Sequence, residues 1–534
     1  MRAATRAVGY DQMHDMADRA VSRRNASHVG VFWFAGALIL YWVTGARGLI
    51  WADPSKLTLY ALAGYFPSLN PGDHAGWTVV AWSWLHLVGG DAVVAAHRLS
   101  AVAGALTVGF AAVLMLVRSG DRARANTGAA LLLVALPVWW AAAVAESYAP
   151  ALAATLGGAL VLRVAARGWR WWAAGLVWGL AVAMHAMSIF LIIPLAWEAV
   201  GTRAWRLLPG VIGGSAPLWL AVFGGPRDPL TGFAASGAST WRWHWEAFLT
   251  LARVPRNFAL LAALLLYALG VLAAVALWRG RRERRGSAVW AWSLGGLSLL
   301  LLVYAPFRLH LMVVFLLVGL VLALPVQLSP WGRAAHVVFQ AAVYVAVPAV
   351  LTVAGRQNLG VRVLPDRNNA FYFLCPFKAA SVSTQAPAKA APTFAQSSLR
   401  SAVLRWARAL DPGTRAYLAG FGVCVPAGAP AVVLADFNPG AVLRLAQAAR
   451  GWRPEFDIRP VAVDVALGAP DPVAALAAEV GHGLATGGEV LLADSYGPYY
   501  HPRGLTALFN LSPCGTAVGV TRHGPATVGE KWPS

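Results

Sequence analysis

The sequence predicts a mainly helical, polytopic membrane bundle that ends in a small α/β domain. Three observations carry this. From Val31 to Ala354 the chain is a succession of apolar runs. One of them, "VGVFWFAGALILYWVTGARGLI" (Val29 to Ile50), has the roughly 20 residues that a helix needs to cross a bilayer. Of 534 residues, 58% are hydrophobic and only 12% charged, at a mean hydropathy of +0.58, the balance of a polytopic membrane protein. After Gly355 the composition changes, and helix-like and strand-like segments alternate.

The net charge of +20 would suit a nucleic-acid partner, but the arginines cluster in short loops between apolar runs. That is where the positive-inside rule puts them, so no nucleic acid is expected. The 25 Trp fit belts at the two membrane interfaces. The three Cys (Cys375, Cys424, Cys514) all follow the last apolar run, with no CxxC pair and no metal-ligand spacing. Cys424 and Cys514 could form a disulfide outside the cytoplasm.

The spans follow in order. The leader, residues 1–29, carries Arg2, Arg6, Arg19, Arg23 and Arg24 and no cleavage pattern, so it reads as the cytoplasmic end of a signal anchor. Residues 30–354 form the bundle, with spans at 30–50, 92–117, 127–145 and 148–165. Segment 51–91 holds two short amphipathic helices, too short to cross, lying along the outer face. Read as one span, 171–200 would place the basic run "RGRRERRG" (Arg279 to Gly286) outside. Read as two short spans meeting near "MHAMS" (Met184 to Ser188), it places that run inside, and this hairpin is preferred. Spans at 207–223, 257–278, 288–305, 309–328 and 335–354 complete about eleven, with the C-terminus outside. Residues 355–400 are a linker containing "STQAPAKAAPTFAQSS", and 401–534 form the extracytoplasmic α/β domain. Its strands are expected at "AVVLADF" (Ala431 to Phe437) and "EVLLADSY" (Glu489 to Tyr496).

Several polar residues need a reason. Asp53, directly after the first span, is either a general base at the membrane face or a helix cap in "DPSK", and position alone favours the cap. Glu146 sits where the third and fourth spans meet; a carboxylate at that depth is costly unless paired or useful, so function and structure weigh equally. His185, at the hairpin tip, reads first as a packing residue. Asp73-His74 makes a poor metal site without distant partners. Arg98, Arg308 and His310 lie at the outer ends of spans, against the usual charge bias. They suit an anionic group at the bilayer surface, since Arg grips phosphate bidentately, against the alternative of snorkelling.

These features together resemble a known family. "WADPSKLTLYALAGYFPSLNPGDHAGW", "HRLSAVAGALTV", "PVWWAAAVAESYAP" and "GLAVAMHAMS" cover about residues 50–190, and "LPDRNNAFYFLCPFK" (Leu364 to Lys378) follows. They resemble the bacterial branch of a family of unknown function related to protein O-mannosyltransferases, within the GT-C class of polytopic glycosyltransferases that use lipid-linked sugars. The resemblance implies a catalytic Asp at Asp53 and a second carboxylate at Glu146. The sequence departs from the family's Asp-Ser-Gly-Glu with Asp53-Pro54-Ser55-Lys56, which puts Lys56 where a second acid stands. Its Pro-Gly loop runs Asn70-Pro71-Gly72-Asp73-His74.

The expected activity is transfer of a sugar, a hexose such as mannose, from a polyprenyl-phosphate donor to an acceptor hydroxyl of a protein or glycan on the outer side. Asp53 is the expected base, and Arg98, Arg308, His310, His185, Lys56 and His74 are the expected substrate-binding groups. No aspartate-rich metal motif is present, so the need for a divalent cation stays open. The rivals are a transporter or flippase, which predicts charges mid-span and two similar halves, and an inactive scaffold with an exported binding domain. The Arg- and Ala-rich, Lys-poor composition points to the cytoplasmic membrane of a bacterium.

Overall fold

The computed structural model describes residues 26–50, 53–64, 74–164, 168–224, 251–280, 288–303, 309–323, 327–356, 414–461, 471–486, 488–493 and 500–522. They belong to two compact units. One takes its residues from 1–45, 97–219 and 243–350; the other from 46–96, 220–242 and 351–534.

The first unit is helical. Its elements are α1 (Ala26–Thr44), most of α4 (Ala92–Ser119), α5 (Arg122–Val134), α6 (Leu136–Ala143), α7 (Tyr148–Val164), α8 (Arg170–Met184), α9 (Ile189–Val200), α10 (Leu208–Gly214), the first turn of α11 (Ala216–Gly224), α12 (Val254–Gly280), α13 (Ala288–Val303), α14 (Leu309–Ala323) and most of α15 (Pro330–Arg356). Among the described residues, three runs are long and apolar enough to cross a membrane: Ala26–Thr44, Ala92–Ser119 and Ala186–Gly214. The third is interrupted at Gly201 (φ 53, ψ −131). Shorter apolar helices accompany them, among them Tyr148–Arg163 and Ala288–Val303.

Expected spans are broken at two places where a side chain takes up the freed backbone group. The span expected at 127–145 is two helices, α5 and α6, bent by 61°. Pro137, at the start of α6, has no N–H for the carbonyl of Leu133. The buried Tyr41 hydroxyl donates to that carbonyl at 2.9 Å. In α12 the backbone leaves helical geometry at Gly270 (φ 65, ψ 166), a region open only to glycine. There the Gln340 side chain donates to the carbonyl of Tyr267. Backbone groups away from water must find such partners. The first span is also shorter than expected, since α1 stops at Thr44.

The segment 171–200 breaks where the sequence suggested. α8 ends at Met184, His185 is extended (φ −159, ψ 118), and a 3-10 turn at Ala186–Ser188 leads into α9. α10 then packs on α8 through bare backbone. A Cβ on Gly175 would meet Gly210 Cα at 2.9 Å, and one on Gly179 would meet Ser215 N at 2.7 Å. The pairs 175/210 and 179/214 run in the same direction, so α8 and α10 are parallel and the chain returns between them. Small residues four apart allow such close approach in apolar surroundings.

The second unit contains α2 (Asp53–Ala63), α3 (Ala75–Val88), the start of α4, and the C-terminal elements. These are α16 (Thr414–Gly422), β1 (Ala431–Ala435), α17 (Phe437–Arg450), β2 (Phe456–Pro460), α18 (Pro472–Ala485), β3 (Glu489–Leu492), α19 (Pro502–Leu505), β4 (Phe509–Cys514) and β5 (Ala517–Arg522). The sheet order is β2-β1-β3-β5-β4. The first three strands are parallel, with Val433 opposite Ile458 and Leu491, and β5 and β4 are antiparallel. Phe421, Val433, Leu443, Val480, Leu492 and Tyr500 fill its core. The two expected strands are β1 and β3. The sequence did not announce β2, β4 and β5, of which β2 and β4 are the two edge strands. In β2 the charged Asp457 and Arg459 alternate with buried Phe456 and Ile458, and β4 carries Pro513, which edge strands tolerate.

Two tethers bind these C-terminal elements to the start of the chain. Thr414 Oγ1 donates to the carbonyl of Leu49 at 2.7 Å, and Arg450 pairs with Asp91 at 3.1 Å. Between them Leu49, Val93, Val442, Leu445 and Ala446 form one buried cluster. The linker stretch 383–398 and the helix-like 399–410 lie outside the described residues.

Candidate active site

Asp53 opens α2 and sits in its first turn, where a carboxylate complements the helix dipole. One turn on, Lys56 places its ammonium 3.6 Å from the Asp53 carboxylate. The Lys56 side chain is only 7% exposed and that of Asp53 22%, so the acid keeps access to solvent while its counter-charge is enclosed. Lys56 also lies 6.0 Å from the ring centre of the buried Tyr60. Positions 53, 56 and 60 share one helix face. Local hydrogen bonds fix the entry to the helix: Ser55 Oγ donates to the Ile50 carbonyl, and Thr58 Oγ1 to that of Pro54 at 2.7 Å. His74, in the same unit, is the residue before α3, held in the left-handed region (φ 56, ψ 51) that non-glycine residues seldom adopt. Asp73 lies outside the described residues.

Glu146, in the helical unit, is 3% exposed and lies in the extended link between α6 and α7. Its position is set by backbone bonds to α4. The N–H of Ala145 donates to His97 Nδ1 at 2.8 Å. The N–H of Glu146 donates to Ser100 Oγ at 3.3 Å, and that hydroxyl returns to the Glu146 carbonyl at 3.4 Å. With Nδ1 accepting, the proton of a neutral His97 ring sits on Nε2. His97 and Ser100 are three apart, so one face of α4 grips the whole link.

Tyr148, at the start of α7, stacks on His185 with ring centres 4.5 Å apart, and His185 lies 5.1 Å from Phe315 of α14. His185 Nδ1 accepts from the Met187 N–H at 3.2 Å. The hairpin tip therefore packs beside the Glu146 link, through a histidine that also caps its own turn. Arg98 follows His97 on α4 but is exposed, and its guanidinium stacks over Trp42 of α1 at 4.8 Å. Arg308 lies outside the described residues, and His310 falls in α14. Among the described residues, no three His, Cys, Asp or Glu side chains gather as metal ligands would.

The sequence reading missed a second polar cluster in this unit. Glu198 accepts from Arg118 at 2.7 Å, from Trp290 Nε1 at 2.6 Å and from Arg163 at 3.4 Å. Arg118 also donates to the Leu322 carbonyl at 2.8 Å. The cluster joins the C-terminal ends of α4, α7, α9 and α14 to the start of α13. Arg163 is 15 residues along α7 from Tyr148, roughly 22 Å of helix, so this knot and the Glu146 link mark opposite ends of the bundle. Its signal was legible: Glu198 is a lone acid in the apolar run "IFLIIPLAWEAV".

Among solved structures, the chain is similar to ArnT from Cupriavidus metallidurans bound to undecaprenyl phosphate. The TM-score is 0.54 at 13% identity, covering 92% of this chain and 97% of that one. ArnT in the apo state gives 0.53 at 14% identity with the same coverage. The fold is GT-C-like. No family model matches the sequence, and no curated protein matches it. At this identity the likeness with ArnT is one of fold, and it runs through both the helical bundle and the C-terminal sheet region.

Proposed function

We propose that this chain is a membrane glycosyltransferase that moves a sugar from a polyprenyl-phosphate donor to an acceptor hydroxyl. The observation that carries the reading is the fold-level likeness, over 92% of the chain, to ArnT, a GT-C glycosyltransferase seen with undecaprenyl phosphate. The motif resemblance around residues 50–190 supports the finer reading, a hexosyltransferase related to the O-mannosyltransferase branch. On this reading domains 30–354 and 401–534 lie in and outside a bacterial cytoplasmic membrane. A thiol probe at the exposed Ala427 reached from the outer side checks that sidedness, and one reached only from the cytoplasm overturns it.

The chemistry asks for three things. The acceptor oxygen attacks the anomeric carbon, its proton passes to the Asp53 carboxylate, and the bond from that carbon to the lipid phosphate oxygen breaks. Lys56 keeps the carboxylate in place before the reaction and shields its charge on one side. The departing lipid phosphate gains negative charge, which Arg98, Arg308 and His310 offset. Displacement in one step inverts the anomeric centre. Glu146 and His185, each held by its own hydrogen bonds, orient the acceptor or its neighbours, and His74 borders the loop that follows α2.

The test is transfer from a polyprenyl-phosphate sugar in detergent by wild type and Asp53→Asn. The variant keeps the shape and a capping oxygen, so a helix-cap role predicts a change of only a few tenths of a kcal/mol. Loss of a general base predicts a fall of about 10²–10⁴-fold. A folded Asp53→Asn that transfers at the wild-type rate sinks the assignment.

A further inference from the structure

We infer that helix α17 of the C-terminal domain positions the Asp53 carboxylate, through Tyr60 and Lys56, and so belongs to the transfer machinery. This deepens the proposed function and rests on it. The C-terminal domain could equally be an exported binding module joined by a linker, and the contacts within its own unit argue otherwise.

α2 is only 11 residues long, and isolated helices of that length are marginal in water. It must be held by packing, and α17 is one of the helices that hold it, with α3 on another side. Tyr60, 1% exposed, and Ala441, 0% exposed, form a small buried cluster that Leu59 completes. The neighbouring turns of α17 supply Val442, Leu445 and Ala446 to the cluster that includes Leu49 and draws in Leu59 and Leu62. Thr414 fixes the Leu49 carbonyl four residues ahead of Asp53, and Arg450 holds Asp91 at the entry to α4.

The face seated there is the face that bears the acid. Tyr60 is seven residues, two turns, from Asp53. Between them stands Lys56, enclosed beside the Tyr60 ring and 3.6 Å from the Asp53 carboxylate. A shift of Tyr60 moves the buried stem of Lys56 and with it the counter-charge of Asp53. Ala441 is the pivot because it is wholly buried in the same cluster as Tyr60, so a larger side chain there presses on that packing. A misplacement of about 1 Å costs on the order of 10²-fold in a reaction that depends on alignment.

Two measurements test this on the full-length protein. The first is amide hydrogen exchange in α2 for wild type, Ala441→Phe, Thr414→Val, Tyr60→Ala and Tyr60→Phe. Ala441→Phe and Tyr60→Ala should speed exchange across 57–63 by about tenfold or more while 103–115 of α4 stays protected. Thr414→Val, which leaves the core intact, should give a smaller effect in the same place, and Tyr60→Phe should restore protection. The second is sugar transfer. kcat should fall about 10–100-fold in Ala441→Phe and Tyr60→Ala with KM for the lipid donor unchanged, and recover in Tyr60→Phe. Folded variants with wild-type exchange in α2 overturn the inference, as does loosened α2 with wild-type kcat. If Ala441→Phe fails to fold, Thr414→Val and Tyr60→Ala decide. A wild-type chain that transfers no sugar removes the proposed function and the catalytic role with it, and the exchange result then decides the docking by itself.

Discussion

Asp53 and Glu146 are both carboxylates beside the start of a helix, and the protein holds them in opposite ways. Asp53 is held through its charge: its partner is the Lys56 ammonium, and a fifth of its side chain stays open. Glu146 is held through its backbone: His97 and Ser100 of α4 grip the peptide groups of residues 145 and 146, and the residue is almost wholly buried. The grip on the peptide groups of 145 and 146 survives a change of side chain at 146. A side chain fixed by an ion pair cannot lose its charge without releasing its partner. Removing the charge at Asp53 should therefore change chemistry, and loosening the link at Glu146 should change geometry.

The sharpest break of the comparison sets Asp53→Asn against Glu146→Gln. The first should lower transfer by about 10²–10⁴-fold. The second should cost less, with both proteins equally monodisperse, because the grip of His97 and Ser100 does not depend on the carboxylate. An equal loss in both would make the two acids partners in one step and erase the distinction.

Next in size is His97→Ala. It leaves the buried Ala145 N–H without its acceptor, a cost of about 1–3 kcal/mol that a thermal or denaturant melt will read. His97→Gln can return an acceptor and should recover part of it. Ser100→Ala removes two longer and weaker bonds and should cost about 1 kcal/mol. If neither variant alters stability or transfer, the Glu146 link is held by its helix packing alone.

Arg98→Ala tests the donor end. A charge-assisted hydrogen bond to phosphate is worth about 1.5–3 kcal/mol, and Arg98, being exposed, belongs at the lower end. The expected result is roughly a tenfold rise in KM for the lipid donor with the acceptor KM unchanged. Unchanged donor dependence would assign Arg98 to its stack on Trp42.

The smallest expected effect lies in the C-terminal domain. Cys424 and Cys514 are neighbours as free thiols, and Cys424 Sγ donates to the Cys514 carbonyl at 2.6 Å. Burial, with the adjacent Cys514, pushes the Cys424 thiol up to about 12 from an ordinary value of 9.0. A raised value means that the folded state favours the protonated thiol. Its contribution to stability is full below pH 9.0 and is lost as the pH climbs from there towards about 12. The domain should melt progressively lower across that window, and alkylation of Cys424 should be slow at neutral pH. Fast alkylation at pH 7 would contradict the packing.

The sequence by itself determined the helical membrane class, the two short helices after the first span, the break near His185 and the alternating C-terminal pattern. Apolar run length, charge placement and residue periodicity are local properties, so one stretch of chain suffices to read them. It also singled out Asp53 and Glu146, since an acid beside an apolar run must have a reason wherever the chain goes. What held those acids was decided only by the tertiary structure. Lys56 looked like a lost second acid until the turn of α2 set it against Asp53. His97 was passed over beside the more conspicuous Arg98, because its acceptor role exists only when residue 145 is brought to it across 48 positions of chain. Glu198 needed Arg118, Arg163 and Trp290 from three separate helices before it became a knot. The same holds for the packing of α17 on α2, whose partners stand nearly 400 residues apart. Hydrogen bonds and packing act over a few ångströms of space, and only the folded chain fixes which residues fall within that range.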